Sequence, residues 1–227
     1  MSIMLALIPA VLWGAMGIVN GWAGGRVANQ ILGGALGSLV FSIVVGVYAY
    51  VEAPTTSVVF SMAGLTYVLS GIAWAAGTSF QLAAFKKMGV SQASGLNTAG
   101  QIAVNALVGA AVFGEWTGAH QWTIGLLAIA SVIIGVFLIS GQPSNLNKDG
   151  VRLTAISVFA YMIYFMIPKT VAILDLVHVN TGTLHNTMAL SLPIAIGQTI
   201  GALVFGIIIF NGGNLSLPLL TTEPAKN

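Results

Sequence analysis

Asn97, Gln101 and Asn105 recur at i, i+4 and i+8 within the otherwise apolar run GLNTAGQIAVNALVG at 95–109. On a helix that spacing rotates each side chain about 40° from the last and strings the amides along about 12 Å of one face. An amide donates and accepts at once, and one left unpaired in an apolar medium costs roughly 2–7 kcal/mol. Ser70, Trp74, Thr78 and Gln81 fall at comparable spacing in the preceding run, as do Trp13, Gly17, Asn20 and Gly24 near the start. Such faces have two readings. One is interhelical hydrogen-bond glue, worth about 0.6 kcal/mol per bond on average. The other is the wall of a water-accessible cavity, where water and solute complete bonds that protein neighbours cannot. Several amides with matching faces on other segments favour the cavity. Its chemistry suits a neutral polyhydroxylated solute, with Trp13 and Trp74 packing on the C–H surface of a ring.

Other polar residues carry competing explanations. Glu115, in FGEWTG, can carry a coupling proton if its surroundings favour the neutral carboxyl, but capping the next helix or holding the turn is the simpler role. Lys86 and Lys87 read as topology anchors, and Lys169, after Pro168, as a cation snorkelling to an interface. His178 and His185 flank the polar stretch VHVNTG with Asp175 nearby; a solvated loop is favoured over a metal or pH-sensing cluster. Trp22, Trp116 and Trp122 suit an interfacial aromatic belt.

The elements that position these residues are membrane helices. Only 5% of the 227 residues are charged and 57% are hydrophobic, against roughly 25% charged in soluble domains. The net charge of +2 rests on too few groups to build a surface for nucleic acid. There is no cysteine, so thiolate metal sites and thiol nucleophiles are excluded. A span needs roughly 20 mostly apolar residues. Polar breaks place seven of them near 2–22, 31–51, 58–82, 91–113, 122–140, 151–173 and 184–210, with a polar linker at 141–150 and a polar tail at 211–227. The fold class is thus an all-α polytopic membrane bundle. Gly34, Ser38, Ser42 and Gly46 form a small-residue packing seam on the second span. Arg26, Lys86, Lys87, Lys148 and Arg152 fall at alternate connections, which predicts those connections inside, the N-terminus outside and the Lys226 tail inside. Glu52, Glu115 and His120 fall on the opposite side, together with Lys169 as the exception.

From Gly71 to Gly125 the chain carries GI-x-WA-x-G, then FQL-x-A, a basic pair before GVS, and the FGEW turn followed by a glycine-spaced helix. This combination, with LIPAVLWGAMGI near the start, resembles bacterial glucose/ribose uptake proteins of the drug/metabolite transporter superfamily, and the similarity extends over most of the chain. The resemblance implies a sugar permease in the cell membrane, with a monosaccharide as substrate, protons as coupling ion, the lipid bilayer as surroundings and no cofactor. It also implies a ten-helix inverted repeat of two five-helix halves with the solute site between them. Residues 1–140 would form the first half and 151–210 part of the second, where VFAYMIYFMIPK sets Tyr161 and Tyr164 in the place of the Trp13 region. Three further spans of that pattern are absent, so completion by a second copy or another chain, or a truncated chain that does not transport, stays open. Export of another metabolite or drug is the alternative transport reading. An enzyme is disfavoured, because no HExxH, GxSxG or paired catalytic carboxylates occur within the spans.

Overall fold

The computed structural model describes residues 2–52, 59–140, 147–173 and 184–210. These form seven helices: α1 (Ser2–Ala23), α2 (Val27–Glu52), α3 (Met62–Met88), α4 (Val90–Val112), α5 (Ala119–Ser140), α6 (Lys148–Ile173) and α7 (Leu184–Gly201). α7 continues as a π-helical turn over Ala202–Ile209, closed by the Phe210 N–H donating to the Phe205 carbonyl at 3.1 Å. Helices are the element that lipid demands, because each satisfies its own backbone N–H and C=O groups without water. Among the described residues, five stretches are long and apolar enough to cross a membrane: Val27–Val51, Met62–Met88, Ala119–Val136, Lys148–Val171 and Thr187–Ile207. α4, which bears the amide stripe, is not among them.

The polar distribution is inverted relative to a water-soluble protein. Val40, Phe41, Val44, Leu127, Ile134 and Leu138 are exposed on α2 and α5, whereas Ser70, Thr78, Asn97, Thr154, Ser157 and Gln198 are buried. α3 is the central helix, packed by α2, α4, α6 and α7; α5 and α1 lie outside against α4. The α2 seam faces α7: Ser38 donates to Gln198 Oε1 at 2.6 Å, and Gly46 lies beside Leu192. A second small-residue contact joins α3 and α7, where Gly71 and Ala75 meet Gly197 and Gly201 so closely that a methyl on Gly71 or Gly197 would overlap the opposing backbone.

Several helix ends differ from the spans expected from polarity. α2 begins at Val27 rather than near Ile31 because the Gln30 amide, instead of needing solvent, donates to the Asn20 and Gly24 carbonyls at 2.8 and 2.6 Å, capping the end of α1. α3 runs to Met88, so Lys86 and Lys87 occupy its last turn, where cations suit the helix dipole. Lys86 Nζ donates to the Gly25 carbonyl at 2.7 Å. Lys148 opens α6, with the Asn147 side chain accepting from Gly150 N at 3.0 Å as a cap. Gly150 packs on Lys87 and Met88, so Lys86, Lys87, Gly25 and the start of α6 gather at one end of the bundle. Gly89, at φ 82°, adopts the left-handed conformation that lets α3 reverse directly into α4. Asp175, His178, Lys226, most of the 141–150 linker and the tail lie outside the described residues, as does the side chain of His185.

Candidate functional site

The polar faces of α3 and α4 converge on α6, and two α6 hydroxyls, Ser157 and Tyr161, complete them. Asn97 is wholly buried, and its Nδ2 donates to Ser157 Oγ at 2.7 Å. Ser157 Oγ in turn donates to the Gly77 carbonyl at 2.7 Å, and Gln101 Nε2 donates to Asn97 Oδ1. One helical turn along α6, the Tyr161 hydroxyl donates to Gln81 Oε1 at 2.9 Å and lies 2.8 Å from Thr78 Oγ1, which is placed to donate to it. Tyr161 is also wholly buried. Its ring lies against Gly77, where a Cβ would sit 3.0 Å from two ring carbons. A side chain at position 77 would crowd that ring, which would have to shift by a few tenths of an ångström.

Farther along the same α3 face, Ser70 Oγ donates to the Tyr164 carbonyl at 2.9 Å. Pro168 lies four residues after Tyr164 and has no N–H, so Ser70 supplies the donor that the helix itself lacks. This explains how α6 carries an internal proline against a buried neighbour.

The remaining candidates divide. Trp13 of α1 meets Tyr161 edge-on, with ring centroids 6.0 Å apart and planes at 69°, and so borders the network. Asn105 is half-buried, and its Oδ1 has no partner among the described residues. Trp74 packs against the apolar cluster of Val27, Ile31, Ala35 and Ala75, on the α2 side. Asn20 engages Gln30 through its backbone carbonyl near the α1–α2 turn. The groove of about 420 Å³ between α4 and α6 is apolar, lined by Leu96, Gly100, Val104, Val158 and Phe159 among others, and is separate from the amides. In this conformation Asn97 and Gln101 are bonded to protein groups.

Glu115 stands apart from the network, in the turn between α4 and α5. It does not cap α5; there Gln121 Oε1 accepts from Thr117 N at 2.6 Å. The Glu115 carboxylate instead accepts from Lys169 Nζ of α6, which also lies 4.6 Å from the Phe113 ring centroid. Gly109 makes this fold-back feasible, because a Cβ there would collide with Glu115 Oε2. Gly114, at φ 66°, turns the chain, and the Trp116 ring fits over Gly125 with Trp122 Nε1 donating to the Trp116 carbonyl at 3.1 Å. Lys169 is thus a paired cation, where sequence suggested a snorkelling one.

Sequence reasoning missed Ser157, whose signal was its i, i+4 relation to Tyr161 on a helix expected to face the first half. The ion pair had no signal in spacing, since its partners lie 54 residues apart.

Residues 4–215 match the family model described as Sugar transport protein. The chain is 32% identical over 215 residues to a "Putative sugar uptake protein" of Enterococcus faecalis, covering 90% of this chain and 69% of that one. It is 33% identical over 215 residues to the "Glucose uptake protein GlcU" of Bacillus subtilis, covering 90% and 68%. No solved structure matches.

Proposed function

The chain belongs to the sugar transport protein family, and on that premise we propose that it imports a monosaccharide of the glucose or ribose class by alternating access, coupled to protons. It is a multi-pass membrane protein, and the relatives' names support sugar as the cargo. The observation that carries the reading is the buried network in which Thr78, Gln81, Asn97 and Gln101 on α3 and α4 meet α6 inside an otherwise apolar bundle. Amides and hydroxyls there supply both donors and acceptors, as a sugar requires. Trp13 and Asn105 border or extend this site, and Trp74 and Asn20 join it if the helices move relative to one another.

If residues 1–140 form a first repeat and those from 151 part of a second, the network falls at a junction between halves, where inverted-repeat transporters bind substrate. Glu115 is the proton-coupling candidate: a proton on its carboxylate would release Lys169 and free the α4–α5 turn from α6. The gathering of Lys86, Lys87 and the start of α6 at one end supports a cell-membrane orientation with that end inside and the N-terminus outside.

Reconstitution of the purified chain into liposomes tests the reading. Counterflow of radiolabelled glucose or ribose, competed by the unlabelled sugar and not by an amino acid or a cationic dye, is the expected result. Saturable flux of the dye without sugar flux would replace import of sugar with another transport function.

A further inference from the structure

We propose that Ser157 and Tyr161 act as internal competitors of the substrate, holding in the empty state the hydrogen-bond positions that two sugar hydroxyls take in the loaded state. This rests on the sugar-transport reading and deepens it. Each of the two α6 hydroxyls makes one bond as acceptor and one as donor. Ser157 Oγ accepts from Asn97 Nδ2 and donates to the Gly77 carbonyl, both at 2.7 Å. The Tyr161 hydroxyl donates to Gln81 at 2.9 Å and pairs with Thr78 at 2.8 Å.

A sugar hydroxyl has the same capacity, one donor and two acceptor lone pairs. Withdrawal of α6 would free the second lone pair of the Gly77 carbonyl, which keeps its intrahelical bond within α3, and would leave three side-chain atoms on α3 and α4 without partners: Asn97 Nδ2, Thr78 Oγ1 and Gln81 Oε1. Each would carry the penalty of an unsatisfied buried group. A polyol entering the gap replaces those bonds one for one, so the exchange is close to balanced and the site opens without stranding polar groups.

The proposal sets a sign that ordinary packing does not. Tyr161→Phe and Ser157→Ala strip a competitor from the empty state while leaving the α3 and α4 groups in place. Half-saturation for the transported sugar should fall by threefold to tenfold, from the worth of a buried hydrogen bond. Thr78→Val removes one of the site's own groups and should raise it. Ser157→Thr keeps the hydroxyl and should restore the wild-type value.

The measurement is counterflow of radiolabelled glucose and ribose in proteoliposomes of each monodisperse variant of the chain. The Ser157 pair decides the question if Tyr161→Phe does not fold. Unchanged or raised half-saturation in Ser157→Ala and Tyr161→Phe overturns the competitor role while leaving sugar transport standing. Lack of saturable counterflow in the wild-type protein overturns the transport reading, and the competitor role with it.

Discussion

Lys169 of α6 donates to the carboxylate of Glu115 in the α4–α5 turn, and the pair rests against the Phe113 ring. Its partners come from the two segments that the proposed repeat division assigns to different halves. Any motion of α6 away from α4 has to break this pair, or carry the turn with it.

Glu115→Gln is expected to uncouple uptake from the pH gradient. Uptake driven by an acid-outside gradient should fall at least tenfold, while counterflow, which needs no net proton movement, should persist. Equal losses in both assays would remove Glu115 from proton coupling and leave it a structural partner of Lys169. Equal gradient dependence in wild type and variant would have the same consequence.

The ion pair itself is accessible to a double-mutant cycle with Lys169→Met, scored by unfolding in detergent. Both side chains are partly exposed, so a coupling of about 1 kcal/mol or less is expected, in the range of surface pairs. The charge-swapped chain, Glu115→Lys with Lys169→Glu, should recover part of the loss.

Ser70→Ala should destabilise the α3–α6 contact by about 1 kcal/mol, because the Tyr164 carbonyl loses the donor that stands in for the missing Pro168 N–H. The same change combined with Pro168→Ala should cost less than Ser70→Ala alone, since the helix regains its own N–H. Additive losses in thermal-unfolding measurements would show that Ser70 does not act through the proline.

Gly197→Ala is expected to lower stability by about 1–3 kcal/mol or more, because the new methyl would overlap the Val68 carbonyl of α3. Gly33→Ala in α2 is the matched control: nothing lies within 4 Å of its Cβ position, and alanine is the better helix former. Similar melting shifts in detergent for the two variants would argue against close α3–α7 backbone packing in solution.

Asn97→Leu and Gln101→Leu should each reduce sugar flux tenfold or more with membrane insertion intact. Asn97 loses bonds to both Ser157 and Gln101, so its loss should be the larger. Unaltered uptake in both would remove the amide stripe from the solute site.

The sequence by itself determined the membrane bundle, since a chain with 5% charged residues and long apolar runs has few other ways to satisfy its backbone in lipid. It also determined which faces are polar, because i, i+4 spacing maps directly onto one side of a helix: Thr78, Gln81, Asn97 and Gln101 were all legible from pattern. Tertiary structure decided what those faces meet. The partners of Thr78 and Gln81 lie on Tyr161, up to 83 residues away, and Lys169 finds Glu115 across 54 residues. Periodicity carries no information over such distances. In this conformation α6 meets those faces, with Ser157 bonded to Asn97 and the Gly77 carbonyl and Tyr161 bonded to Gln81 and packed on Gly77.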